Sequence, residues 1–511
     1  MTSGVNLRNH IFKLLFITGI IAFILCITLY PCYAYDLKNR VKEFTLSNGL
    51  RVLIVERHTS PTVSLYISHD TGAVDEEDGH TGTAHILEHM MFKGTETIGT
   101  KNFTEEKQIL RRIHDTGNAL DIEMMKGETA DTQKITSLRE QLDTLQQEAG
   151  RWTVPSEIDR LYTEKGGGDL NAFTGQDLTS YHVSLPSNRI ELWARIESDR
   201  MTNPVFREFY SERSVVMEER RQVVESNPGR KLLEQFLAAA FTVHPYRRPV
   251  LGWTHDMRFL NIDYTKAFFK TYYSPNNTTI AIVGDVSPDK TMALINRYFG
   301  KIPPQKIPVR HITEEPPQSG EKRIKLAFDA APRLIIGYHK PTLPSFDDCV
   351  FDVIDTILSG GRTSRLFKTL VEKGLAVDVN TANGFPGARY PNLFVIFAEP
   401  VSPHTCAELE EIIYNELDIL KKEPVRPEEL EKAKNQLRAD ILRTVSTNSG
   451  LAGMLSYYGA VAGSWQYLLT FQDLLEKVTP EDVMTVAKKY LDPRNRTVAE
   501  LVRKKNKKTE S

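Results

Sequence analysis

The chain has 511 residues, 41% apolar and 25% charged, with a formal net charge of −2 at pH 7. That length suffices for two or more domains. The balanced charge excludes the basic footprint of a nucleic-acid-binding protein, and only four cysteines exclude a disulfide-stapled fold.

Arg8 and Lys13 lead into an apolar run from Leu14 to Tyr30, followed by Pro31-Cys32-Tyr33-Ala34. This reads as an export signal over residues 1–34, cut after Ala34. It places the mature chain outside the cytoplasm, in the periplasm. The alternative is a membrane anchor retained through residues 14–30, which is at the short limit for a span. Two cysteines, Cys26 and Cys32, fall in this segment. Cys349 and Cys406 remain, either as buried thiols or as a pair.

Asn48-Gly49 between Val41–Leu46 and Leu50–Glu56 predicts a β-hairpin. A strand over Thr62–Ser68 follows. Then comes His85-Ile86-Leu87-Glu88-His89. On a helix, His85 and His89 lie one turn apart, about 5–6 Å between Cβ atoms. That spacing lets both imidazoles reach one zinc. Glu88 sits on the rim of the same face, able to move a proton without ligating the metal. The H-x-x-E-H order is the inverzincin signature. Ile86, Leu87, Met90 and Met91 give the helix an apolar side, and Gly94 offers its stop.

Residues 105–165 are highly charged, with Leu138, Leu142 and Leu145 at helical spacing. They predict a helical hairpin. The charge favours a solvated protrusion; docking a partner or covering a chamber is the functional alternative. A zinc held by two histidines still lacks a third protein ligand. The segment Ser211–Arg221 supplies Glu212, Glu218 and Glu219. Positions 212 and 219 return to within about 20° of one helix face, but spacing alone does not separate Glu218 from Glu219.

Ile280–Asp285 predicts a buried strand ending in a glycine turn. Pro303, Pro304, Pro308, Pro316 and Pro317 mark a linker over 303–322. A second unit then begins with a strand at Arg333–Tyr338. A helix at Phe351–Leu358, a strand at Leu393–Phe397 and a long helix at Pro427–Val445 follow. Arg503-Lys504-Lys505 reads as a frayed basic end. Strand-then-helix order in both halves predicts an α+β protein of two domains, 35–302 and 323–511.

The string Gly82-Thr83-Ala84-His85-Ile86-Leu87-Glu88-His89-Met90-Met91-Phe92-Lys93-Gly94-Thr95 resembles the active-site helix of the pitrilysin/insulinase family of zinc peptidases. The likeness extends over nearly all of residues 40–500. It implies two similar α/β units, each a mostly antiparallel sheet with helices packed on one side, facing each other around a chamber. It implies one Zn2+ per chain, held by His85, His89 and Glu219, with Glu88 as the base and Glu212 as an acid orienting the site. Gly166–Thr174 resembles the family strand whose Asn-Ala backbone, here Asn171 and Ala172, pairs with substrate as an added strand. Single-chain active members carry an Arg and a Tyr, seven apart, that clamp the substrate carbonyl; those slots here hold Leu370 and Val377. Losing one such donor typically costs about 2.7–4 kcal/mol in the transition state. The expectation is therefore a zinc metallo-endopeptidase acting on peptides or unfolded segments, as one subunit of a heterodimer. A homologous metal-free partner would supply the Arg and Tyr. Two alternatives stand beside this: Arg362, Arg365 or Tyr390 substitutes for the pair, or the chain is a non-hydrolytic assembly subunit of an envelope complex.

Overall fold

Asn48 and Gly49 form the first turn because Gly49 adopts a φ of +86°, which suits a residue without a Cβ. The Asn48 amide donates to the carbonyls of Phe299 and Ile302 at 2.8 and 2.9 Å, tying the turn to the end of the first half. These coordinates are a computed structural model that describes residues 37–504. The expected signal at 1–34 and the last residues of the basic tail lie outside them. Among the described residues no helix is long and apolar enough to cross a membrane.

The first sheet is built from β1 (Val41–Thr45), β2 (Arg51–Glu56), β3 (Thr62–His69), β4 (Gly168–Thr174), β5 (Thr179–Pro186) and β6 (Thr278–Gly284). Their order is β1-β2-β6-β3-β5-β4, antiparallel except between β2 and β6. The second sheet contains β7 (Lys322–Phe328), β8 (Arg333–Lys340), β9 (Ala376–Phe385), β10 (Asn392–Pro400) and β11 (Arg496–Arg503). Its order is β7-β11-β8-β10-β9, and only β7 and β11 run parallel. Apart from β1, the two topologies superpose strand for strand. The repeat expected from the sequence is therefore a repeat of topology.

Three strands of the second sheet, β7, β9 and β11, were not evident from the sequence. β7 alternates charged and apolar residues at an outer edge, and β11 runs on to Arg503, part of the stretch read as a frayed end. The Lys504 amide still donates to the Phe328 carbonyl. Residues 303–319 form neither helix nor strand.

The helices that bear on function are α1 (Thr83–Met90), α2 (Phe103–Met125), α3 (Thr132–Gly150), α4 (Phe209–Arg220) and α5 (Pro228–Ala240) in the first half. In the second half they are α6 (Phe346–Ser359) and α7 (Asn448–Val461). Val52, Ile54, Val63, Leu65, Ile67 and Ile282 turn one face of the first sheet toward the helices of its own half. The opposite face, with Leu53, Val55, Ala281 and Val283, is covered by Leu451, Ala452 and Leu455 of α7, a helix of the other half. The exchange is reciprocal. Leu232, Phe236, Leu237 and Ala240 of α5 pack on Ile335, Leu393, Val395, Ala499 and Leu501 of the second sheet. Gly337 permits this approach, because a Cβ there would stand 2.4 Å from the Phe236 ring. Each sheet thus has helices of its own half on one face and an exchanged helix on the other. The two exchange-covered faces are packed core, so neither is free to line a chamber.

The hairpin expected at 105–165 forms as α2 and α3, but it is not a solvated protrusion. Ile109, Ile113, Leu120, Leu142, Leu145 and Ala149 are buried in the first-half core. Much of the charge that suggested solvation lies on the outward faces, but Glu106, Asp121 and Glu123 are buried. Cys349 and Cys406 are both buried free thiols.

Candidate metal centre

α1 is short, and both of its ends are fixed from outside. Its N-terminus begins at Gly82, whose φ is +91° and where a Cβ would stand 2.2 Å from the Met257 sulfur. The fully buried carboxylate of Glu76 accepts from the amides of Gly82 and Ala84 at 2.8 and 2.7 Å, meeting two of the open donors of the first turn. Ile86, Leu87 and Met90 are wholly buried, which aims the opposite face, with His85 and His89, into a cleft. The helix ends at Met90, before the stop expected at Gly94.

α4 brings its own face to the same cleft. The Nε2 atoms of His85 and His89 stand 3.9 and 3.7 Å from the carboxylate oxygens of Glu219. These separations are too long for hydrogen bonds. Two ligands on a tetrahedral ion at zinc distances stand about 3.3–3.6 Å apart. The ligand atoms of His85, His89 and Glu219 all lie within 4.8 Å of one another, and among the described residues this is the one such group. Both imidazoles present Nε2 to the common point, and the second nitrogens face away. His89 Nδ1 lies 3.3 Å from a Glu212 oxygen, while His85 Nδ1 is buried without a protein partner. A carboxylate behind a ligating histidine fixes its tautomer and ring orientation. The donor set, two neutral-capable imidazoles and one carboxylate with an accessible side, fits a divalent zinc. The Glu219 side chain is 37% exposed against 12% for His85, so solvent reaches the group more readily at Glu219 than at His85.

Electrostatics agree with that fit. Burial, with the neighbouring His89, pushes His85 down to about 3, so its lone pair stays available. For His89, burial is outweighed by the Glu212 hydrogen bond and the charges of Glu219, Glu212 and Glu88, and its pKa rises. Burial pushes Glu212 up, but the hydrogen bonds from His89 and Lys93 overcome it and hold the carboxyl below its usual range. Lys93 also reaches Glu208 at 2.7 Å. Glu88 stands beside the three convergent side chains, close enough to feel the charges of His89 and Glu219, and accepts from the Thr174 hydroxyl at 2.5 Å; burial raises its pKa. Glu218, the neighbour that spacing did not exclude, is paired with Arg221 at 2.6 Å on the outside of α4.

Asn171 and Ala172 lie on β4, the outermost strand beside β5. The Ala172 amide donates to the Asn171 side chain at 2.9 Å. Leu370 is fully buried and Val377 is 60% exposed, so neither slot carries a donor. Arg365 is held in two hydrogen bonds by Glu429 at 2.9 and 2.7 Å, and the Tyr390 ring packs 5.3 Å from His244. Arg365 is thus committed elsewhere, whereas Arg362 is exposed.

Sequence reasoning missed Thr174, Lys93 and Glu76. Thr174 ends the Asn-Ala strand, and only the fold puts it against Glu88. Glu76 could have been suspected, because an acid shortly before a helix start complements its positive end.

A paired-sheet α+β chain whose inverted motif helix meets a distant acid has the architecture of an inverzincin. The sequence profile described as "Insulinase (Peptidase family M16)" matches residues 51–120 and 153–253, and "Peptidase M16 inactive domain" matches 260–437. Together they span most of the chain, which belongs to the M16 peptidase family. It is 24% identical to the zinc protease PqqE of Helicobacter pylori, over 89% of this chain and 92% of that one. It is 25% identical to an uncharacterized zinc protease of Streptomyces coelicolor, over 89% and 88%. In fold it is similar to a crystal structure of a protease from Helicobacter pylori, with a TM-score of 0.76 over 90% of this chain and 99% of that one at 24% identity. The periplasmic protease PqqL of Escherichia coli gives a TM-score of 0.66 at 17% identity, over 91% of this chain but only 47% of its own.

Proposed function

We propose that this chain is a zinc metallo-endopeptidase that cleaves peptides or unfolded segments, and that it works beside a second unit. The convergence of His85, His89 and Glu219 on one point carries the reading. A zinc bound there would polarise a carbonyl and lower the pKa of water from 15.7 toward about 7. The chain's own residues then have defined tasks. Glu212 holds the His89 ring with Nε2 facing inward. Glu88, raised by burial, takes a proton from the attacking water and returns it to the leaving amine, the work of a general base and acid. The open outer edge of β4, at Asn171 and Ala172, offers backbone hydrogen bonds to an extended peptide and so sets its register with few side-chain demands.

The second unit is proposed because the two clamp slots hold Leu370 and Val377, and nearby Arg365 is engaged by Glu429. The fold neighbour PqqL supports the arrangement, since its chain is about twice the length this one matches. A chamber would then form between the cleft of this chain and the other unit. The partner expected is a homologous metal-free subunit carrying the Arg and Tyr, with both placed in the periplasm. The test is a peptide-cleavage assay on the purified chain alone and with the candidate partner. Activity that appears only with the partner supports the proposal. Full activity of the isolated chain removes the second unit. Zinc-free protein with no cleavage in either case favours a non-hydrolytic assembly role.

A further inference from the structure

The helix that carries Glu212 and Glu219 is held by three buried arginines, and two of their partners come from the α2–α3 hairpin. Arg207, just before α4, is doubly bonded by Glu106 of α2 at 2.7 and 3.0 Å. Arg220, at its end, is bonded by Glu234 of α5 at 2.7 Å. Between them Arg213 makes two bonds to Asp121 of α2 at 2.7 and 2.9 Å, and a third to the Leu260 carbonyl at 2.9 Å. Its guanidinium lies 5.0 Å over the Tyr210 ring. Tyr210 in turn fits against Gly117, where a Cβ would stand 2.0 Å from the ring, and Ser211 reaches Gln146 of α3 at 3.0 Å. The hairpin turn is itself stapled. Glu123 accepts from Lys126 at 2.8 Å, Lys134 at 2.9 Å and the Asp131 amide at 3.0 Å.

The insulinase profile passes from residue 120 to 153, so Asp121 and α3 belong to an added segment. We infer that this segment positions the third ligand, with Asp121 acting through Arg213 to set the rotation of α4 and hence where Glu219 and Glu212 stand. The inference rests on the zinc reading given above. The geometry makes rotation the sensitive variable. A carboxylate standing roughly 6 Å from a helix axis moves about 2 Å when the helix turns by about 20°. Metal–ligand distances tolerate about 0.2 Å. Arg213 points about 100° from Glu212 and about 120° from Glu219 around the helix, so it can lock the rotation without entering the cleft.

The test compares zinc dissociation constants, measured by chelator competition, with melting temperatures of the metal-free protein. The chains compared are wild type, Asp121→Asn and Leu142→Ala. Asp121→Asn is expected to weaken zinc binding by about 10–100-fold, the range for partners one step behind a ligand. Leu142→Ala opens a cavity in the same hairpin and is expected to lower the melting temperature while leaving zinc affinity within about twofold. If Asp121→Asn does not fold, Arg213→Lys serves in its place. Lys keeps the charge but not the two-bond fork, and the same direction of loss is expected. Wild-type affinity in the Asp121 or Arg213 variant overturns the inference. So does zinc weakening that merely follows melting temperature across all variants. A wild-type chain that binds no zinc removes the underlying reading, and with it this inference, and is recognised before any variant is made.

Discussion

Glu88 differs from the other carboxylates of the cleft in that a hydroxyl, Thr174, holds it rather than a cation. Glu212 is anchored by Lys93 and His89, and Glu219 faces both imidazoles. A carboxyl that is buried and hydrogen-bonded by a neutral donor can change protonation state without breaking an ion pair, which is what a proton carrier needs. Glu88→Gln should therefore leave zinc content unchanged and lower cleavage by about 10²–10⁴-fold, the range for loss of a general base. Metal analysis beside a peptide assay checks it; loss of zinc in this variant would mean that Glu88 is a ligand. At this scale much was legible in advance. His85, Glu88 and His89 follow from helical spacing together with the inverzincin order. Glu76 and Thr174 did not, because a capping carboxylate nine residues upstream of His85 and a hydroxyl on another strand are set by the fold.

Among the elements, β4 carries the substrate argument. Among the described residues no strand pairs with its outer edge, and the Ala172 amide donates to its neighbour's side chain. Proline is tolerated at a sheet edge where its missing N–H would face outward. Ala172→Pro should thus keep the fold and the zinc while raising KM by about three- to tenfold, the value of one hydrogen bond. An unchanged KM would remove the added-strand mode.

α6 makes a separate prediction. Burial, with the Asp348 carboxylate beside it, pushes Asp352 up to about 7. The folded state then holds a proton that the unfolded chain releases near pH 4, so stability is highest at low pH within this window. It should fall as pH rises from about 4 to 7 and level off above, and Asp352→Asn should flatten that slope in denaturant titrations. A wild-type slope in the variant would place the titration elsewhere. Strands β1, β2, β3, β6, β8 and β10 were readable from period and turns, whereas β5, β7, β9 and β11 were not. Nor was the role of α7. A helix rich in Gly, Ala and Ser gives no face preference, and Gly459 shows its use only against Thr279 of the opposite half, where a Cβ would stand 3.2 Å from a methyl. The charge of the α2–α3 hairpin misled for the converse reason, since its acids include the partners of buried arginines.

At the scale of the molecule, the halves are joined by exchanged helices and by buried polar contacts, one of them beside β4. Asp177, in the turn after β4, accepts from the Ala388 and Arg389 amides at 2.7 and 3.2 Å and from the Tyr246 hydroxyl at 2.7 Å. The second half, which has no metal motif, thereby braces the strand that bears Thr174 and Ala172. Because each sheet depends on a helix from the other half, the described chain should unfold in a single calorimetric transition. Two separated transitions would show that the halves are independent.

The central claim is that Glu219 completes a zinc site with His85 and His89. It is tested most directly by counting zinc per chain after dialysis against a weak chelator, in wild type and in Glu219→Gln. The account predicts one zinc per wild-type chain and a small fraction of that in the variant, with the melting temperature of the metal-free protein unchanged. Equal zinc in both proteins would contradict it.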